Sequence, residues 1–188
     1  YTLYDLCHRD QPEFPEVSSY RNFENRESHF KRVLAKATAV FVESELGAKN
    51  AINRYALDDT RVHAFLTSPG LGIGSKTDNR IENVVDIKRE YDINTDYIFY
   101  PAQFWAHKNH VYILQGIKCL DNDFGIKLAV IFAGGDQGNM THVKRMVSEM
   151  NLNDSVRFAG FVTNNQIIQL YQQSIALVMP TYFGPTNL

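Results

Sequence analysis

Residues 128–133 read Leu-Ala-Val-Ile-Phe-Ala, an unbroken apolar run that stops at Gly134-Gly135. A strand wet on one face alternates apolar with polar residues. A run with no alternation belongs to a strand covered on both faces, the habit of parallel sheets flanked by helices. Parallel neighbours need long crossovers, usually helical, so helical periodicity should flank the run. It does. Val111, Leu114 and Ile117 precede it at helical spacing, and Met140, Val143, Val147 and Met150 follow it.

The same alternation extends in both directions. Tyr97-Ile-Phe-Tyr-Pro-Ala102 reads as a strand, as does Val156 to Val162 with a break at Gly160. Ile167, Leu170 or Tyr171, and Ser174 trace a further helix, and Ile175 to Met179 reads as a buried strand ending at Pro180. Upstream the pattern is weaker. Tyr1 to Tyr4 resembles a strand end, and Gln11 to Asn25 a long loop. Phe30, Val33, Leu34 and Ala37 give a helix face, Thr38 to Val42 a strand, and Arg61 to Leu66 another strand. Ser44 stands where an N-cap belongs, ahead of Ala48, Ala51, Ile52 and Tyr55. Strand–helix alternation throughout predicts an α/β protein with doubly wound parallel sheets. Ser68-Pro-Gly-Leu-Gly-Ile-Gly-Ser75 holds three glycines and a proline in eight residues, which marks a hinge. The expected division is 1–68, a linker over 69–96, and 97–188. The chain begins and ends inside apparent structural elements and is expected to be an internal piece of a longer protein.

Composition narrows the function classes. The formal net charge is −2, without the basic surplus of a nucleic-acid binder. Cys7 and Cys119 are the two cysteines, too few for a disulfide framework. No apolar run approaches the ~20 residues of a membrane helix. Asn139-Met-Thr141 and Asn153-Asp-Ser155 fit the glycosylation pattern and are read as chance matches.

Chemistry in an open α/β sheet is expected at the carboxyl ends of the strands. Four segments fall there. Tyr100-Pro-Ala-Gln-Phe-Trp-Ala-His-Lys-Asn-His110 places Lys108 at the start of a helix, where a cation opposes the macrodipole and is explained by a bound phosphate or by simple solvation. His107 and His110 share a spacing but have no third metal ligand nearby. Ala133-Gly-Gly-Asp-Gln-Gly-Asn139 offers backbone amides without matching a dinucleotide or P-loop fingerprint. Pro180-Thr-Tyr-Phe-Gly-Pro-Thr-Asn-Leu188 is a turn rich in hydroxyls and amides. In the first half, Tyr4-Asp-Leu-Cys-His-Arg-Asp10 gathers acid, base and phenol at a strand end, suited to acid–base work or to local salt bridges.

Taken in order, these segments resemble the retaining group 1 glycosyltransferases of the GT-B fold, the branch with many bacterial mannosyl- and rhamnosyltransferases. The resemblance is carried by 100–110, Phe132-Ala-Gly-Gly135, Val156-Arg-Phe-Ala-Gly-Phe-Val162 with Ile168-Gln-Leu-Tyr171, and 178–188. In the first half it rests on Asp5-Leu-Cys-His8, Pro12-Glu-Phe-Pro-Glu16 and Phe41-Val-Glu-Ser44. It implies two Rossmann-like domains, both incomplete here: the end of an acceptor domain over 1–68 and a truncated nucleotide-sugar domain over 97–188. It assigns catalytic roles to Lys108, Tyr4 and Asp5. It implies donor contacts at Gln103, Lys108, Gly134, Gly135, Val162, Thr163, Tyr182, Gly184, Thr186, Asn187 and Leu188, with no metal and no cofactor beyond the nucleotide-sugar substrate. Three positions depart from the family's pattern: Gln103 replaces an arginine, Tyr4 a histidine, and Gly184 the first glutamate of a pair. The implied partners are a nucleotide sugar and a glycan or lipid-linked acceptor. The implied location is the cytoplasm, with peripheral attachment of the full-length protein to the membrane's cytoplasmic face and a role in cell-surface polysaccharide synthesis. The rivals are a non-catalytic nucleotide- or sugar-binding module and a nucleotide-sugar epimerase.

Overall fold

The structure is a computed structural model that describes residues 1–65 and 84–184. The glycine-rich segment and Thr186, Asn187 and Leu188 lie outside the described residues. The described residues fall into two compact units, 1–65 with 183 and 184, and 84–182.

The first unit contains β1 (Thr2–Leu3), α1 (Cys7–Asp10), α2 (Pro15–Ser18), α3 (Asn22–Leu34), β2 (Val40–Val42), α4 (Glu45–Tyr55) and β3 (Val62–Ala64). Its three strands are parallel in the order β1-β2-β3, with Thr2 opposite Phe41 and Val40 opposite Val62. Leu3, Leu34, Val40, Val42, Ala51 and Leu57 close the core. The Ser44 hydroxyl accepts the Gly47 N–H at 3.1 Å, the N-cap its position suggests. The stretch 11–25, expected as loop, is largely helical. Pro15 opens α2, a 3-10 turn follows at Ser19–Arg21, and α3 begins at Asn22. One-turn helices are too short to show a period, and left-handed Tyr20 (φ 55°) and Arg21 (φ 62°) break the pattern between them.

The second unit contains α5 (Ile87–Glu90), β4 (Tyr97–Pro101), α6 (His110–Phe124), β5 (Ala129–Ala133), α7 (Met140–Glu149), β6 (Val156–Gly160), α8 (Asn164–Gln173) and β7 (Ala176–Leu177). All four strands are parallel in the order β6-β5-β4-β7. Every residue of β5 is buried, as its unbroken apolar run requires. Val130 and Phe132 face one cluster with Ile113, Leu114 and Ile117 of α6 and Val143 and Val147 of α7. Ala129, Ile131 and Ala133 face another with Ile87 and Leu170. The sheet is thus sandwiched between helices, a doubly wound arrangement.

Three expectations change. Residues 84–96, read as linker, belong to the second unit, where Ile87 and Ile93 enter the core with Tyr97. Residues 183 and 184, expected with the donor sheet, group with the first unit, where Phe183 meets Phe14 edge-on at 5.4 Å between ring centroids. Ile175 to Met179, read as a buried strand, has its register partners at Ala176 and Leu177 and lies largely exposed, with Ile175 at 59% and Leu177 at 45%. An apolar run records residue type but not whether a layer covers it; β7 is the last strand of the described sheet.

Candidate functional site

The carboxyl ends of β4, β5, β6 and β7 are stitched together by hydrogen bonds between their loops. After β4 the chain makes a 3-10 turn at Ala106–Lys108 and enters α6 through Asn109, which sits in the left-handed region (φ 54°). Asparagine tolerates that conformation better than most side chains. The Asn109 side-chain amide donates to the Pro180 carbonyl at 3.1 Å. The His107 carbonyl accepts the Tyr182 N–H at 2.9 Å and the Thr181 hydroxyl at 3.2 Å. On the other side, the Phe104 N–H donates to the Gly135 carbonyl, the Asn139 N–H to the Phe104 carbonyl and the Gly134 N–H to the Gly160 carbonyl.

This stitching depends on Gly134. Its φ of 151° lies in glycine territory, and a Cβ there would stand 2.4 Å from the Ala102 carbonyl oxygen. At Gly135 a Cβ would stand 3.0 Å from the Phe161 ring. The two glycines therefore serve close approach of neighbouring loops. Asp136, in the same loop, accepts the Met140 and Gly138 N–H groups, which hold its carboxyl below the usual range.

Lys108 occupies the 3-10 turn, just ahead of the α-helix whose start it was expected to mark. Its N–H donates to the Trp105 carbonyl at 3.2 Å, and its carbonyl accepts the Tyr100 hydroxyl at 2.9 Å. Burial pushes the Tyr100 phenol upward, so it remains a donor. Gln103 is exposed, and its side-chain oxygen accepts the Trp105 indole N–H at 3.0 Å. Val162 is half-buried at the end of β6. Thr163 caps α8 in a reciprocal box with Gln166, so its hydroxyl and N–H are already engaged. Gln103, Lys108, Gly134, Gly135, Val162, Thr163 and Tyr182 thus lie along one edge of one sheet. Gly184 adopts φ 133° and belongs to the first unit's group of residues.

His107 and His110 are both buried. His110 opens α6 and stacks on Phe104, with ring centroids 4.3 Å apart. Burial pushes its imidazole down to about 4, against a smaller opposing pull from the Ala102 backbone. Among the described residues, no group of three or more His, Cys, Asp or Glu is placed to hold a metal.

Tyr4 and Asp5 lie at the carboxyl edge of the first unit's sheet, against a cavity of about 300 Å³. Burial raises the Asp5 carboxyl, but the Arg26 guanidinium and the Cys7 N–H more than offset this and hold it below its ordinary value. His8, the base of the same segment, does not line that cavity. It is fully buried between the Phe23 and Phe30 rings, its Nε2 3.2 Å from Glu27. Arg9 holds Glu27 down at about 2. The segment's acid and base therefore do different jobs, one at a cavity and one in the core.

Sequence reasoning passed over Trp105 and Asn109 as positioning residues. An asparagine placed directly before a helical period was the available signal for a left-handed entry. Nothing in the pattern pointed to the bond between Trp105 and Gln103.

Residues 85–186 match the family model described as glycosyl transferases group 1. Solved structures resemble the whole chain. WaaG, a glycosyltransferase involved in lipopolysaccharide biosynthesis, aligns with TM-score 0.71 at 15% identity over 97% of this chain and 50% of its own. Sucrose-phosphate synthase from Thermosynechococcus elongatus aligns with TM-score 0.69 at 18% identity over 98% and 44%. Anabaena HepE, solved with UDP and glucose, aligns with TM-score 0.68 at 14% identity over 96% and 45%. The chain spans about half the length of these proteins, and the shared architecture is GT-B. No curated protein matches the chain.

Proposed function

The chain belongs to the group 1 glycosyl transferases, and from that premise we propose that the protein moves a hexosyl group, mannose or a similar sugar, from a nucleotide sugar to a glycan or lipid-linked acceptor with retention. The observation that carries this reading is the stitched carboxyl edge of the second unit. Lys108, the Gly134-Gly135 backbone and the β6 and β7 loops are drawn together there by bonds that need no ligand.

The chemistry follows from charge. Breaking the bond between the sugar's anomeric carbon and the diphosphate oxygen leaves the electron pair on the diphosphate. A preorganised cation and fixed amides stabilise that growing charge without reorganising. Lys108 supplies the cation in this proposal, and Gly134 and Gly135 permit close backbone approach. Tyr4 and Asp5 serve the acceptor side. No metal takes part. The reaction runs in the cytoplasm, with the full-length protein at the membrane's cytoplasmic face, in cell-surface polysaccharide synthesis. Among the described residues no helix is long and apolar enough to cross a membrane. HepE, solved with UDP, supports a nucleoside diphosphate as the donor's leaving group.

Lys108→Ala in the full-length protein should lower transfer by about 10²–10³, the scale for one lost preorganised contact. An unchanged rate at both limiting and saturating donor would sink the proposal. A second reading, nucleotide binding without catalysis, is favoured by Gln103: a neutral amide bonded to Trp105 stands where the family resemblance implies an arginine. UDP binding without any transfer or donor hydrolysis would select it.

A further inference from the structure

Lys108 reaches the donor edge from a weak piece of backbone. The turn at Ala106–Lys108 is 3-10, a form with poorer hydrogen-bond geometry than an α-helix. Its own bonds are long: the Lys108 N–H meets the Trp105 carbonyl at 3.2 Å, and the Asn109 N–H meets the Ala106 carbonyl at 3.2 Å. A lysine also carries a flexible four-carbon stem. What the fold can fix is therefore the backbone from which the ammonium group reaches out.

Two successive carbonyls of this turn are held from outside it. The His107 carbonyl is met by Thr181 and Tyr182 in the loop after β7, where Tyr182 is exposed. The Lys108 carbonyl is met by the Tyr100 hydroxyl at 2.9 Å, and Tyr100 is buried within β4. The Tyr100 ring packs against those of His110 and Phe132, with centroids 4.9 and 6.4 Å away, which fixes the direction of its hydroxyl. The same strand supplies a matched comparison. Tyr97 is buried on the opposite face of β4 and donates its hydroxyl to the Leu170 carbonyl of α8, also at 2.9 Å. Each tyrosine commits a buried hydroxyl to one backbone carbonyl; the carbonyl that Tyr100 holds belongs to the lysine.

We propose that Tyr100 is a positioning residue of the donor edge: through the Lys108 carbonyl it fixes the turn from which Lys108 meets the donor diphosphate. The inference rests on the glycosyltransferase reading for the diphosphate; the anchoring of the turn belongs to the Tyr100 bond itself.

Tyr100→Phe and Tyr97→Phe in the full-length protein remove matched buried bonds from one strand, and UDP titration with amide hydrogen exchange separates their effects. Tyr100→Phe should weaken UDP binding about three- to tenfold, the scale of one buried hydrogen bond. It should also speed exchange over residues 105–110 by about tenfold, as a locally loosened segment does. Tyr97→Phe should leave UDP affinity within about twofold and show its faster exchange over 164–173 instead. In the Lys108→Ala background, Tyr100→Phe should change UDP affinity by less than about twofold, because the group it positions is gone. Three results would overturn the proposal: UDP affinity unchanged by Tyr100→Phe where Lys108→Ala weakens it, equal losses of UDP affinity in the two tyrosine variants, or an undiminished loss in the Lys108→Ala background. UDP binding that is absent or indifferent to Lys108→Ala would count against the donor reading. The exchange measurement then decides the anchoring: faster exchange over 105–110 in Tyr100→Phe supports it, and exchange as slow as in the wild type overturns it.

Discussion

His110 shows how one buried side chain ties stability to pH. Its unfolded imidazole takes a proton near 6.5, whereas burial holds the folded one at about 4. The unfolded chain therefore binds more protons between those values, and the stability from keeping the ring neutral is complete above 6.5 and lost as pH falls toward 4. The loss amounts to about 3 kcal/mol. Urea titrations at pH 7 and pH 4.5 should show it, and His110→Leu should flatten that part of the slope. An identical slope in the variant would show that His110 is not the titrating group. Gly134 is the other sensitive residue. Gly134→Ala forces a side chain into positive φ and against the Ala102 carbonyl. A cost of about 1–3 kcal/mol or more is expected from the strain alone. Denaturation midpoints measure it, and a change within error would show that the loops yield.

Among the elements, the junctions between strand ends and helices decide where chemistry sits. Asn109 performs two tasks, adopting the left-handed entry to α6 and donating to Pro180. Asn109→Gly keeps the first and removes the second; Asn109→Ala removes both. UDP affinity should fall in both variants, while stability should fall more in Asn109→Ala. Equal stabilities would mean that the backbone conformation carries no strain. The N-caps at Ser44 and Thr163 were readable or nearly so, because a hydroxyl before a helical period has a local cause. The one-turn helix Pro15–Ser18 and the 3-10 turn Ser19–Arg21 were not, since three or four residues cannot display a period of 3.6. The burial of β5 was legible and that of Ile175 to Met179 was misjudged. Both are apolar runs, and only the second lacks a strand beyond it in the described sheet.

At the level of the whole molecule, two compact units with separate cores make a single cooperative transition unexpected. Trp105 is the one tryptophan and belongs to the second unit. Its fluorescence should report that unit alone, while far-ultraviolet circular dichroism reports both. The two midpoints should differ, and UDP should raise the fluorescence midpoint more. Coincident midpoints with and without UDP would show that the units unfold as one. Activity of the full-length protein should also survive EDTA within error; a loss restored by Mg²⁺ or Mn²⁺ would contradict the proposed metal-free chemistry.

The sequence by itself determined the fold class, because alternating strand and helix periods are local properties and parallel pairing follows from the crossovers they demand. It also determined which strand ends carry lysine, glycine and asparagine. Only the tertiary structure decided what those residues touch. His8 and Asp5 sit three positions apart in one segment, yet α1 turns one into the core beside Glu27 and leaves the other at a cavity. Gln103 and Trp105 bond to each other across a single residue, and Asn109 finds its partner 71 residues away at Pro180. Burial and long-range hydrogen bonds are properties of several elements at once, and no local pattern contains them.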